Sequence, residues 1–164
     1  MTPLELLQSK RLHVDRLANE GGAAGETIAL GEMDHWIRRP TGEGLKLLLD
    51  ALEKRQTPIK RTSFDAVHIP GASDFDFTDV NKLEDVLPEM TFIEIKTANQ
   101  ERVKPDFSGF FFALTEGELM AAQVLGNRYR VALFNKRTGS ILLTSVSDIL
   151  TRSRSMNWQV SVQL

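Results

Sequence analysis

The chain has no cysteine among its 164 residues. That excludes a disulfide frame, a thiolate metal site and a cysteine nucleophile, and it is compatible with an intracellular location. Long apolar runs are missing too. None approaches the roughly 18 residues of a membrane-spanning helix, and the first residues lack the apolar centre of about 7–15 residues that a secretory signal carries. A cytoplasmic protein with no membrane partner is therefore expected. Basic excess is also absent: Asp and Glu number 22 against 20 Lys and Arg, for a net charge of -2. This argues against a domain that holds nucleic acid by bulk charge alone, but it leaves room for an acidic site inside a local basic rim.

Several motifs are missing in ways that remove whole chemistries. Gly21-Gly22-Ala23-Ala24-Gly25 has no strand pattern before it and no Gly-Lys-Ser/Thr after it, so it reads as a linker and not as a phosphate loop. His13, His35 and His68 are far apart and form no His-Glu-x-x-His pair, which leaves a zinc hydrolase without ligands. No Gly-x-Ser-x-Gly elbow occurs. Asp74-x-Asp76 opens like a calcium loop, yet Asp79 stands sixth where glycine is needed and Asp85 twelfth where glutamate is usual.

What is present is a globular composition, 41% hydrophobic and 26% charged. The length suits a single domain over 1–164, with an N-terminal helix and linker over 1–40 and a core over 41–164. Leu4, Leu7, Val14 and Leu17 recur at helical spacing, and Leu45, Leu48, Leu49 and Leu52 mark a one-sided helix that starts after Gly44 and ends near Thr57-Pro58. A strand over 64–69 is stopped by Pro70-Gly71. From 65 to 89 seven acids face a single Lys82, so the stretch reads as a solvated connection with a turn of helix near 80–87.

The aromatic density of 108–114 predicts a strand buried on both faces. Thr115-Glu116-Gly117-Glu118 has the Thr-x-x-Glu form of a capping box and predicts a helix over 116–125. A hairpin is expected over 129–134 and 140–144, then a short helix over 147–152 and a last strand over 158–164. Neighbouring strands imply hairpins and the helix before Tyr129 implies a crossover, so the class is α/β with a mixed sheet flanked by helices.

The chemistry-bearing segment is Thr91-Phe92-Ile93-Glu94-Ile95-Lys96-Thr97. Alternation along a strand puts Phe92, Glu94 and Lys96 on one face and Ile93, Ile95 and Thr97 on the other. An exposed strand face with an ordinary ion pair gives the same pattern, and such a pair contributes little. The surrounding segments favour a site. The Asp65 strand, the Glu94-x-Lys96 strand, a third hairpin strand and a crossover helix follow in order. With them stand Phe112-Ala113-Leu114-Thr115-Glu116-Gly117-Glu118 and Tyr129-Arg130-Val131-Ala132-Leu133. In these features the chain resembles the PD-(D/E)XK, or restriction-endonuclease-like, nuclease superfamily, and within it the small branch typified by the C-terminal domain of NO VEIN-type proteins, related to Mrr-like restriction nucleases. The resemblance spans about 64–134; Asp65 follows Phe64 where the superfamily often has proline.

The resemblance implies a restriction-endonuclease-like core and hydrolysis of nucleic acid phosphodiesters, with DNA favoured, in a restriction or defence setting. It implies Mg²⁺, with Mn²⁺ as a substitute, held by Asp65, Glu94 and the backbone carbonyl of Ile95, and Lys96 holding the attacking water. A hard cation of this kind needs only one or two carboxylates because it retains waters. Asp74, Asp76 and Asp79 also precede Glu94, but they stand in a polar loop, whereas Asp65 stands at a strand. Gln123 on the crossover helix is either a site residue or a surface amide. Over 99–164, eight basic residues against five acids offer a mild rim for phosphates. The alternative is an inactive domain of the same fold that binds nucleic acid or protein, and either reading leaves a homodimer or larger complex open.

Overall fold

A computed structural model of the chain describes residue 33 and residues 35–156. The helix expected over 4–17 and the strand expected over 158–164 lie outside the described residues. Among the described residues five strands form one sheet in the order of the chain: β1 (Trp36–Arg38), β2 (Ala66–His68), β3 (Thr91–Ala98), β4 (Tyr129–Asn135) and β5 (Ser140–Thr144). Every neighbouring pair is antiparallel except β3 with β4, which run parallel with Glu94 opposite Val131 and Lys96 opposite Leu133. Parallel neighbours require a crossover, and the helix between them supplies it. The sheet is thus mixed, mostly antiparallel and flanked by α-helices. No described helix is long and apolar enough to cross a membrane.

Four helices among the described residues flank the sheet: α1 (Gly42–Lys54), α2 (Val80–Val86), α3 (Glu116–Leu125) and α4 (Val146–Arg152). Their buried side chains, Leu48 and Leu52 of α1, Leu83 of α2, Ala121 and Leu125 of α3 and Val146 of α4, join one core with Phe92, Val131 and Leu133 of the sheet. The other face carries a smaller cluster of Trp36, Ala66, Ile93, Ile95, Ala132 and Phe134. Residues of opposite parity along β3 and β4 fall into different clusters, as the pleat requires. Glu94 and Lys96 have the parity of Phe92, so they lie on the face that the helices cover.

α1 begins three residues before the expected start, with extended Thr41 at its N-cap, and Gly44 lies inside it. A Cβ on Gly44 would stand 3.0 Å from the Cβ of Phe77, so the close approach of that side chain explains the glycine. α2, α3, β3 and the β4–β5 hairpin fall within a residue or two of their expected bounds.

Two expectations need correction. β1 lies in the stretch read as N-terminal helix and linker, because three residues beside a proline are too few to show alternation. The aromatic stretch 108–114 is not a strand. Asp106 bonds the backbone and hydroxyl of Ser108, Phe107 and Gly109 both have positive φ, and Phe110 N–H returns to Phe107 O, so the backbone turns instead of extending. Phe107, Phe110 and Phe112 stack among themselves against the core, while Phe111 is 77% exposed. Aromatic density marked burial but not conformation, and the third hairpin strand before the crossover helix is absent.

The start of α3 matches the capping box: Thr115 Oγ1 accepts from Glu118 N–H at 3.2 Å, and a Glu118 carboxylate oxygen accepts from Thr115 N–H at 3.0 Å. Thr115→Ala should therefore lower unfolding free energy by about 1 kcal/mol, read from the urea midpoint at constant slope. A midpoint equal to wild type would show that the hydroxyl does not hold the helix start.

Candidate active site

β2 is short, pairing only with 91–93 of β3, so from Glu94 onward that edge of β3 has no described strand beside it. Asp65, immediately before β2, occupies the first vacant place. Its N–H donates to Ile93 O at 2.8 Å, and its Oδ2 accepts from Ile95 N–H at 2.8 Å, replacing a backbone carbonyl with a carboxylate in the ladder. The N–H and C=O of one strand residue point to the same edge, so the Ile95 carbonyl faces the side from which Asp65 approaches. Arg39 frames the other side: its guanidinium donates to Arg61 O and Phe64 O and lies 5.9 Å above the Phe64 ring.

Glu94 is 6% exposed, which rules out the exposed strand face with an ordinary ion pair. One of its oxygens, Oε1, is 2.9 Å from Lys96 Nζ, while Oε2 is buried with no hydrogen-bond partner among the described residues. Burial, and next the charge of Asp65, push the Glu94 carboxyl up to about 8, against the pull of Lys96. Asp65 is raised as well, by burial, although the Ile95 N–H, Arg39 and Lys96 hold it back. For Lys96 burial works downward, but Glu94 and Glu118 outweigh it and keep the ammonium above its ordinary range.

Glu118 is the participant that sequence reading assigned only to helix capping. Its oxygens lie 3.0 and 2.9 Å from Lys96 Nζ, and the residue is 3% exposed. Tyr129 is a second omission; its buried hydroxyl donates to Ser63 O, and burial together with Glu94, Glu118 and Asp65 raises its pKa. The only signal for either was the strand parity of Tyr129 and the buried side of α3. Gln123 is exposed and sits about 140° round α3 from Glu118, so it behaves as the surface amide. Lys60 covers the first turn of α3, where a Cβ on Gly117 would stand 3.2 Å from the Lys60 stem.

The loop acids have local duties. Asp76 bonds Thr78, Asp79 caps α2 through Lys82 N–H, and Asp74 is exposed. Asp65, by contrast, perturbs Glu94. Of the eight basic residues in 99–164, five engage protein groups: Arg102 with Gln100, Arg128 with Leu87 O, Arg130 with Leu143 O, Arg137 with Glu101 and Arg152 with Asp106 O.

Among the described residues no three His, Asp or Glu side chains form a group able to hold a metal by themselves. The oxygen donors available are two carboxylates, one with an unpartnered buried atom, and a strand carbonyl. Such a set suits a hard cation that keeps much of its water, and does not suit a cation that needs a closed cage of side chains. Comparison of the chain with known protein families, curated proteins and solved structures returns no match.

Because Glu94 and Asp65 bind protons more tightly folded than unfolded, folding takes up protons across the interval between the two states' pKa values. The Glu94 contribution to stability is full below the ordinary carboxyl range and declines as pH rises from about 4.5 toward about 8, and Asp65, raised in the same direction, adds a loss of the same sign. Lys96 is charged in both states throughout that interval and adds no slope. In chelator, the wild-type urea midpoint should fall between pH 5 and about pH 8, and Glu94→Gln should flatten most of that fall. A flat wild-type profile would mean that the Glu94 carboxyl is not held protonated.

Proposed function

We propose that the chain is a Mg²⁺-dependent hydrolase of nucleic acid phosphodiesters, with DNA as the favoured substrate, built on a PD-(D/E)XK-type site. The observation that carries this reading is the gathering of Asp65, Glu94 and Lys96 into one buried cluster in which Glu94 Oε2 has no partner. Packing the Glu94 carboxyl beside Asp65 in a buried place, where burial and the Asp65 charge resist its ionisation, is costly to a fold, and a bound cation that favours the ionised pair supplies a reason for the arrangement. The antiparallel β2–β3 pair, with Asp65 just before β2 and Glu94 on β3, the α3 crossover and parallel β4 support a restriction-endonuclease-like core, without the third hairpin strand. A restriction or defence role belongs to the same reading.

In this proposal Asp65, Glu94 and the Ile95 carbonyl hold Mg²⁺, with Mn²⁺ able to replace it. When bound, such an ion lowers the pKa of its water and offsets charge on the phosphate. Lys96, a compact cation two residues from Glu94 on the same face, orients the attacking water and counters charge developing on the scissile phosphate. Asp65 is preorganised by its bond to the Ile95 N–H. Lys60 and Arg61, exposed in the loop before Asp65, supply phosphate contacts that carry no sequence information.

One observation favours a second reading. Lys96 is fully paired between two carboxylates, and most basic residues of the C-terminal half are engaged by the protein itself, as in a nuclease-fold domain that binds without turnover. Incubation of duplex DNA, single-stranded DNA and RNA with Mg²⁺ or Mn²⁺ separates the two. Wild type should cut, whereas Asp65→Asn, Glu94→Gln and Lys96→Ala should each fold and lose on the order of 10²–10³-fold or more in rate. Asp74→Asn should cut as wild type does. Activity lost in Asp79→Asn but kept in Asp65→Asn would move the site to the loop, and a wild type inert toward every substrate would leave the binding reading.

A second measurement concerns affinity. Nucleic acid should bind weakly, and the affinity should fall as salt rises, because the contacts are mostly to phosphate. No binding to any strand at low salt would remove nucleic acid as the substrate.

A further inference from the structure

The proposed chemistry needs one acid beside Lys96, yet the ammonium has two. Glu94 offers it one oxygen from the same strand, and Glu118 offers it both oxygens from the first turn of α3. We propose that Glu118 is a positioning residue that takes over the Lys96 ammonium when a divalent cation occupies Glu94, so that the site exchanges one ion pair for another. The inference rests on the Mg²⁺ reading above.

A cation on Glu94 repels the nearby ammonium and competes with it for the carboxylate. Left without a partner in a buried place, that ammonium would oppose cation binding. Glu118 removes the obstacle. It already lies within hydrogen-bond distance of Nζ, and it is fixed by its own bond to Thr115 N–H, so Lys96 has only to release Glu94 Oε1. Lys96 then remains next to the cation with its charge intact, held from the helix side.

Two substitutions separate this role from helix capping. Glutamine at the third helical position also satisfies a capping box, so Glu118→Gln keeps the helix start and removes the charge. Thr115→Ala weakens the helix start and leaves the carboxylate on Lys96. Calorimetric titration of the full chain with Mn²⁺ alone, with melting curves to verify folding, should give about tenfold weaker binding for Glu118→Gln, as for removal of a group that orients a metal ligand. Thr115→Ala should stay within about twofold of wild type. In a Lys96→Met background the further change Glu118→Gln should alter affinity by less than about twofold, because the residue it acts through is gone.

Wild-type affinity in Glu118→Gln overturns the inference, as does a tenfold loss that persists in the Lys96→Met background, since that would make Glu118 a distant charge acting directly on the cation. An equal loss in Thr115→Ala overturns it in favour of helix placement. If wild type itself binds no Mn²⁺, the Mg²⁺ reading fails and the inference with it, an outcome distinct from binding by wild type and variant alike.

Discussion

A lysine enclosed by carboxylates from two different elements ties this molecule together. Removing an ammonium from water costs several kcal/mol, and only close, hydrogen-bonded anions offset that cost. Lys96 has them because β3 places Glu94 two residues away on one face and α3 brings Glu118 down onto the same point. The carboxylate that binds Lys96 also accepts from the Thr115 N–H, so a single side chain joins β3 to the start of α3. Gly117 extends the constraint outward by admitting the Lys60 stem against that turn, and Lys60 O in turn accepts from the Ser63 hydroxyl. The loop before β2, the crossover helix and the central strand are therefore positioned by one charged contact.

That contact sits where two surfaces meet. The helices bury their apolar sides on one sheet face, and the polar pair on that face lies under the first turn of α3. On the opposite edge β2 stops early, which gives Asp65 access to β3. A continuous fourth pairing there would have sealed the Ile95 edge with backbone. The β2 edge of the strand is thus left without a described strand partner at the part that carries charge.

Much of this was legible in the residues. The Glu94-x-Lys96 spacing, the Thr115-to-Glu118 box and the leucines of α1 each rest on a local rule, period two, a fixed offset of three and period 3.6, and each gave the right element. What escaped was non-local. Glu118 satisfied a local pattern so fully that a second duty left no trace, and Tyr129 earned its place near the acids only through pairing with β3. The 108–114 stretch failed for a different reason: side chains buried from a turning loop and side chains buried from a strand have the same composition, and only the positive φ values at Phe107 and Gly109 distinguish them. β1 was too short for any periodicity.

The bond from Ile95 N–H to Asp65 has a further consequence. Most amides in the middle of a sheet are held by another strand, so their exchange with solvent reports the opening of that strand. This one is held by a carboxylate that can rotate away while the sheet stays intact. The Ile95 amide proton is therefore a built-in reporter: its exchange rate and chemical shift follow whatever Asp65 is bonded to, independently of global unfolding and without any label added to the chain.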